Sequence, residues 1–337
     1  MKNGRLSTVM ASEDLQSPQS ASGCVSAVVI SYFTGPILSR ALEALAVQPE
    51  IKEIILVDNG NFDGHVEKAI NDKASPLVRV VSGHGNIGFA RGCNLGAKAC
   101  SGEHLLIINP DAVMPEGGVA QLLRDSTERE RPWLMGAKLV GPDGMEQQGS
   151  RRRVLTPWRA FVEITRLYKL APEHPYFKRF NMHTDECPGD VSETPVISGA
   201  IMFLPKANYD LVGGMDERYF LHVEDIDFCL RFAKNGGRVF FNPHVSVLHY
   251  KSSSRANPIM IEARKTQGII RYFHTHFSKA YPKPFLWLVD AALWIAFGLL
   301  FVKRAVLKTI RLAGFRARRG GRGVERAKSL SRRQSMR

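Results

Sequence analysis

The chain has 337 residues, 44% of them hydrophobic, which is enough for a large buried core and excludes disorder as the ground state. Its formal charge is +14, but residues 303–337 hold thirteen Lys and Arg against one acid, Glu325, so that segment carries +12 and the body is close to neutral. A neutral body without zinc-finger spacing or RNA-binding aromatic signatures excludes a basic nucleic-acid groove, and no nucleic acid is expected as a partner.

Residues 1–23 are polar, include Glu13 and Asp14, and lack the apolar run of a secretory signal. They read as a loosely ordered leader on a chain that stays in the cytoplasm. The five cysteines, Cys24, Cys93, Cys100, Cys187 and Cys229, are odd in number and never in CxxC spacing, a usage that fits reduced thiols in that compartment.

From Val25 to Asn109 short apolar runs alternate with amphipathic segments. VSAVVISY, EIILVD, LVRVVS and EHLLIIN read as strands. Helices are expected from about Pro36 to Val47, from Gly64 to Ala74 and over IGFARGCNLGAKAC. Continuous Val/Ile/Leu strands joined by helices predict an α/β, doubly wound, mostly parallel sheet covered on both faces. Such sheets bind ligands at the carboxyl ends of their strands, where two acidic turns fall: Asp58-Asn59-Gly60 and Asn109-Pro110-Asp111. The stretch from Gly83 to Gly96 lacks dinucleotide-site spacing, and there is no Walker lysine loop. It does place Arg91 near a helix start, well suited to a phosphate oxygen.

The segment from Arg151 to Glu193 is rich in Pro, Arg and aromatics, with a helix expected from Trp158 to Leu170, and reads as an acceptor-side loop region. TPVISGAIMFLPK then predicts a strand ending at Pro205, followed by a short helix from Ala207 to Val212. In GGMDERYFLHVEDIDFCLRFAKNGG, Glu224, Asp225 and Asp227 open a helix that ends near Asn235. Acids favour a helix N-terminus, but three exceed what a cap requires. They are expected to face a cleft and raise one another's pKa, which suits a general base or a metal site. His249 ends the strand VSVLH. With Asp111 it offers an oxygen-and-nitrogen set acceptable to Mg²⁺ or Mn²⁺.

Taken together, VVISY, LVDNG, NIGFARGCNLG, INPDA, ISGAIMFLPK, GGMDERYFLHVEDIDFCLR and FFNPHVSVLHYKS resemble the inverting family 2 glycosyltransferases of GT-A fold, in the branch that includes bacterial rhamnosyltransferases of cell-surface polysaccharide synthesis. The resemblance runs from about Val25 to His276. It implies transfer of a sugar from a nucleotide-sugar donor to a glycan acceptor, with dTDP-rhamnose the donor it favours and galactofuranosyl or another hexosyl transfer, or a catalytically silent sugar-nucleotide-binding protein, as alternatives. It further implies that Asp225 is the catalytic base with Glu224 beside it, and that Tyr32, Asp58, Asn59, Asn86, Arg91, Asn109 and Gly199 bind the nucleotide sugar. Asp111 and His249 would hold Mg²⁺ or Mn²⁺. Asn109 departs from a strict DxD motif, being a neutral, weaker ligand, and Phe33 stands where many relatives carry a polar residue.

These readings divide the chain into a leader (1–23), a GT-A domain (24–280) and an apolar helix with a basic tail (281–337). The run from Phe285 to Val302 is interrupted only by Asp290 and followed at once by Lys303 and Arg304. Eighteen residues are borderline for a span. A crossing with a cytoplasmic tail would put the catalytic domain away from cytoplasmic nucleotide sugars, so an interfacial or re-entrant helix is expected. The partners implied are an anionic membrane surface at the cytoplasmic face and a lipid-linked acceptor. A homo-oligomer is left open.

Overall fold

The computed structural model describes residues 24–70, 76–127, 129, 132–171, 174–251 and 257–304. The leader and the basic tail beyond Arg304 lie outside these. In chain order, β1 (Val25–Ser31), α1 (Ile37–Ala46), β2 (Ile51–Asp58), α2 (His65–Ala69), β3 (Val78–Val81), α3 (Phe89–Ala99) and β4 (His104–Ile108) form the first half. β5 (Ala112–Val113), α4 (Gly118–Ser126), β6 (Trp133–Val140), β7 (Arg151–Arg152), α5 (Pro157–Thr165), β8 (Ser192–Glu193) and β9 (Val196–Ile197) follow. The chain then forms β10 (Ile201–Pro205), α6 (Lys206–Leu211), α7 (Glu224–Lys234), β11 (Arg238–His249), α8 (Pro258–His276) and a last helix, α9 (Lys283–Arg304).

The main sheet has the order β3-β2-β1-β4-β10-β6-β11-β5, with β8 on β11. Every residue of β1, β4 and β10 is buried, as expected of strands covered on both faces. Pairing is parallel along β3-β2-β1-β4, but β10 runs antiparallel to both β4 and β6. The expected mostly parallel sheet is therefore correct for the first half, and the whole is mixed. Periodicity reports that a strand is buried, not its direction, so the reversal at β10 left no mark in the sequence.

Three local expectations are corrected. The strand expected over TPVISGAIMFLPK is two strands. β9 pairs with β7 in a separate two-stranded sheet, and the chain leaves that ladder through Ser198–Ala200 before β10 joins the main sheet. The helix expected to reach Leu170 stops at Thr165, because Arg166 takes a left-handed conformation at φ 61° and a 3-10 turn follows. The helix expected to reach Ala74 is described only over His65–Ala69.

The direction of each strand decides where the site forms. β1, β2 and β4 end at Ser31, Asp58 and Ile108 on one edge, and antiparallel β10 starts there. β11 finishes at His249, paired with Ala112 of β5, and the Tyr250 amide donates to the Asp111 carbonyl. The same edge thus collects Tyr32, Asp58, Asn109, Asp111, Gly199 and His249, although they are up to 217 positions apart in the chain.

Candidate active site

On the β1–β2 side, Asp58 Oδ1 accepts hydrogen bonds from the Gly60 and Asn61 amides at 3.0 and 2.9 Å and from Asn61 Nδ2 at 2.6 Å. This turn fixes the carboxylate at the strand end. Tyr32 lies beside it, with its ring 4.6 Å from that of Phe33. Asn59 is buried, and its Nδ2 donates to the Gly88 carbonyl at 3.0 Å, so it fastens the start of α3 to the end of β2. Asn86 is exposed and accepts the Gly88 amide at 3.1 Å. Arg91, on the first turn of α3, is exposed and paired with Glu217 at 3.2 Å. Asp58 and Tyr32 therefore stand at the same sheet edge, where Ser31 pairs with Asp58, while Asn59 and Asn86 shape the loop leading into α3.

At the centre, Asn109, Asp111 and His249 converge. His249 Nε2 is 3.3 Å from Asp111 Oδ1 and 3.3 Å from Asn109 Nδ2, and both His249 and Asp111 are buried. The other ring nitrogen, Nδ1, faces Gln147 Oε1 at 2.9 Å, while Gln147 Nε2 donates to the His249 carbonyl at 2.5 Å. With Nδ1 protonated toward Gln147, the lone pair of Nε2 faces a carboxylate with no hydrogen between them. Two acceptors in that arrangement suit a hard or borderline divalent cation, so the residues fit one. Among the described residues no third His, Cys, Asp or Glu joins them, so the remaining ligands would come from elsewhere, such as a diphosphate.

The acidic segment does not behave as a cluster. His222 and Val223 both have positive φ, 69° and 76°, an unusual conformation that is strained for a β-branched valine, costing on the order of 1–3 kcal/mol per residue. Helix α8 packs closely on this turn: a Cβ on Gly268 would stand 3.1 Å from Val223 Cγ2, a contact tight enough to push the valine side chain aside. From this turn the three acids diverge, which corrects the expectation that all face one cleft. Asp227 Oδ2 accepts from Arg231 Nε at 2.6 Å and its Oδ1 is 2.7 Å from His276 Nε2, so it ties α7 to α8. Asp225 Oδ2 accepts from the Gly199 amide at 2.9 Å and from Arg152 Nη2 at 2.5 Å, and its Oδ1 accepts the Ile226 amide. Glu224 is buried, and its Oε2 has no hydrogen-bond partner among the described residues.

These environments push the two neighbouring acids apart. Burial raises the Glu224 pKa, and the adjacent Asp225 charge adds to it, bringing it up to about 8. Burial acts on Asp225 in the same direction, but the Arg152 charge and the hydrogen bonds from Arg152, Gly199 and Ile226 outweigh it and hold the carboxyl below its ordinary value. Mutual elevation thus applies to Glu224 alone. Such a pair separates a standing carboxylate from a protonated neighbour.

Arg152 is the residue that sequence reasoning passed over, hidden in the run Arg151-Arg152-Arg153. Because β7 is a strand, consecutive side chains alternate. Buried Arg151 makes a bidentate pair with Glu146 at 2.9 and 3.1 Å, while Arg152 turns to Asp225 and also donates to the Ile197 carbonyl. Gln147 was also missed, since nothing in GMEQQGS marks a glutamine that would reach His249. Adjacent arginines in an extended segment were the one available signal.

All five cysteines are free. Helix α9 buries Leu286, Val289 and Leu293 against the domain, and His274 of α8 pairs with Asp290 at 2.8 Å. Its outer face leaves Trp287, Trp294, Ile295, Leu299 and Phe301 exposed. At 22 residues with a mean hydropathy of 2.2 over its most apolar window, it is long and apolar enough to cross a membrane.

Residues 26–180 match glycosyl transferase family 2. Over 241 residues, covering 67% of this chain and 76% of the relative, the chain is 29% identical to the N-acetylglucosaminyl-diphospho-decaprenol L-rhamnosyltransferase of Mycobacterium tuberculosis. Among solved structures, GalNAc-T7 with UDP, GalNAc and Mn²⁺ aligns at a TM-score of 0.54 and 14% identity, over 76% of this chain and 48% of that one. The mannosyltransferase PcManGT from Pyrobaculum calidifontis, in complex with GDP-Man and Mn²⁺, aligns at 0.50 and 17% identity, over 84% and 80%. The mixed sheet and these likenesses agree with a GT-A fold, and the chain is similar to glycosyl transferase family 2 over residues 26–180 and to a rhamnosyltransferase over two thirds of its length.

Proposed function

We propose that the chain is an inverting, divalent-cation-dependent glycosyltransferase of cell-surface polysaccharide synthesis. It would move rhamnose from dTDP-rhamnose to a lipid-linked glycan at the cytoplasmic face of the membrane. The observation that carries this reading is the pairing of two elements at one sheet edge: the Asp111–His249 couple, and an Asp225 carboxylate held ionised by Arg152 and the Gly199 amide.

In this reading the nucleotide lies along the ends of β1 and β2 against Tyr32 and Asp58, with Arg91 released from Glu217 toward the diphosphate. Asp111 and His249 would hold Mg²⁺ or Mn²⁺, which when bound would supply positive charge against the leaving diphosphate. Mn²⁺ accompanies nucleotide or nucleotide sugar in both structural neighbours, which supports divalent-metal use in the family. Asp225 takes the proton from the acceptor hydroxyl as that oxygen attacks the anomeric carbon from the face opposite the leaving group, so the configuration inverts. Asp225 Oδ2 is occupied by two donors and Oδ1 by one amide, so the lone pairs left on Oδ1 receive the proton. The depressed pKa keeps Asp225 ionised and so able to accept a proton.

The acceptor side supports a lipid-linked substrate. Trp158 and Phe161 of α5 pack around Phe285 of α9 at ring separations of 6.5 and 6.2 Å, so the acceptor-side segment and the apolar helix are in contact. A helix lying in the interface would bring a membrane-borne acceptor to that side. The Mycobacterium relative is named for a decaprenol-linked substrate, which favours the same class.

The test is nucleotide diphosphate release from a panel of nucleotide sugars, with and without EDTA, in the presence of a polyprenyl-diphosphate-linked N-acetylglucosamine acceptor. Metal-dependent release from dTDP-rhamnose that needs the acceptor supports the reading. Preference for another hexosyl donor would move the donor assignment, and absence of release from every donor would leave a sugar-nucleotide-binding protein.

A further inference from the structure

Asn61 fastens the loop after β1 to the turn after β2. Its Oδ1 accepts the Thr34 amide at 3.3 Å, and its Nδ2 donates to the Ser31 carbonyl at 3.2 Å and to Asp58 Oδ1 at 2.6 Å. The Asn59 amide donates to the same Ser31 carbonyl at 2.9 Å, and the Phe62 carbonyl accepts the His65 amide at the start of α2 at 3.0 Å. The two strand ends are thus held together as one base, and three aromatic rings stand on it.

Phe33 takes a left-handed conformation at φ 46°, an outlier for a bulky side chain that persists only where the surroundings over-determine it. Its ring contacts both of the others, at 4.6 Å from Tyr32 and 4.8 Å from Phe62. Gly60, at φ 109°, puts no side chain beside Tyr32, where a Cβ would stand 3.9 Å from Cε2. The rings therefore border the turn that carries Asp58, outside the carboxyl ends of β1 and β2 where ligands of such sheets bind. Phe62 is 62% exposed. The uncovered part of that ring gains nothing from folding, and covering it with a flat apolar ligand would be favourable.

Stacking on an aromatic ring tolerates any nucleobase. Selection between thymine and uracil is a different matter, because the two present the same N3–H, O2 and O4 groups and no hydrogen bond tells them apart. Only the C5-methyl of thymine does, and the group that recognises a methyl is an apolar side chain such as Phe.

We propose that Phe62, backed by Phe33, is a specificity-determining residue whose ring receives the C5-methyl of the donor's nucleobase, giving the site its preference for a thymidine over a uridine nucleotide. The inference rests on reading the nucleotide along the ends of β1 and β2, against Tyr32 and Asp58. It adds a residue to that site and a physical reason for a thymidine donor.

The test is calorimetric titration of the full-length protein with dTDP and with dUDP, which differ only by the methyl group, with Mn²⁺ present throughout. Native protein should bind dTDP at least about fourfold more tightly, the increment for one buried methyl. Phe62→Ser should bind both nucleotides more weakly and with nearly equal affinity. Phe62→Leu keeps an apolar group for the methyl and should keep the preference. Since most of the native ring lies outside the protein, both variants should hold the native thermal midpoint. Equal affinities in the native protein, a Ser variant that keeps the native preference, or a Leu variant that loses it as fully as the Ser variant would each overturn the proposal. Tyr32→Ser is the control on the underlying reading. Unchanged dTDP affinity in that variant would mean that the nucleotide lies elsewhere, and Phe62 would lose its role with it. Affinity that depends on Tyr32 together with a preference that ignores Phe62 would leave the nucleotide site standing and overturn the role of Phe62 alone.

Discussion

Arg152 and Asp225, 73 positions apart, form a 2.5 Å ion pair beneath the strained turn that opens α7, and the Gly199 amide shares the same carboxylate oxygen. Breaking a buried pair by removing one partner leaves an uncompensated charge and costs about 3–5 kcal/mol. Arg152→Met is therefore expected to lower the thermal midpoint strongly. Arg152→Lys keeps the charge but replaces the planar Nη2 amino group, which donates to both Asp225 Oδ2 and the Ile197 carbonyl, with an ammonium on a differently shaped stem. It should fold, and because the Asp225 carboxyl is less well stabilised, the acid limb of its kcat/KM profile should move to higher pH. An acid limb unchanged in the Lys variant would show that Arg152 does not set the ionisation of the base.

Asp225→Asn removes the proton acceptor with little change of shape but leaves the Arg152 charge uncompensated, so a lowered thermal midpoint is expected as well and turnover is read below it. Turnover should fall by about 10² or more, with little change in donor affinity, as expected for loss of a general base. Steady-state kinetics together with nucleotide-sugar titration check this. Near-native turnover would hand the role to Glu224.

Glu224 predicts a pH dependence of stability whose sign can be worked out. Its folded pKa of about 8 lies above the ordinary 4.5, so between those values the native state holds a proton that the unfolded chain has released. Native stability therefore falls as pH rises through that window. Glu224→Gln keeps an uncharged side chain and loses this slope. The variant should track the wild type most closely below about pH 4.5 and unfold at a progressively higher temperature relative to it as pH rises toward about 8. Parallel unfolding curves across that range would contradict a raised Glu224.

The placement of many candidate residues was legible because the acids sit at strand ends and a helix start, positions that periodicity locates well. Asp58, Asn109, Asp111 and His249 needed only the parallel half of the sheet and the end of β11 to be brought to one edge. What the sequence concealed depended on direction and on long-range pairing. The reversal of β10, the exit of the chain from the ladder at Gly199, and the two faces of the Arg151–Arg152 pair all arise from tertiary partners. The divergence of Glu224, Asp225 and Asp227 belongs to the same class, since it is created by Arg152 and His276, neither of which is near them in sequence.

Asp111→Ala should weaken Mn²⁺ and nucleotide diphosphate binding together, because one carboxylate would link the cation to the diphosphate. Calorimetry on the variant checks both. The loss of diphosphate affinity should disappear when the two proteins are compared in EDTA, and a loss that persists there would mean Asp111 acts on the nucleotide without a cation.

Helix α9 has two faces with different expected fates. Leu286, Val289 and Leu293 recur at helical spacing and are buried against the domain, and Asp290 faces His274 of α8, so the polar residue in the apolar run is turned toward protein. The opposite face exposes Trp287, Trp294, Ile295 and Leu299. A helix docked along one side and apolar on the other suits the membrane interface better than a crossing, and tryptophan favours that depth. Thirteen basic residues from Lys303 onward add attraction to anionic lipid at about 1 kcal/mol for each one close to the surface. Full-length protein should therefore bind vesicles containing anionic lipid at low salt and be partly extracted by high salt. Replacing Trp287, Trp294 and Leu299 by Ser leaves the buried stripe intact, so the thermal midpoint should hold while vesicle binding falls at least tenfold in cosedimentation. Full-length protein that stays in the supernatant with anionic vesicles at low salt would sink this prediction, and a triple variant that still binds as tightly would assign the attachment to the basic segment alone.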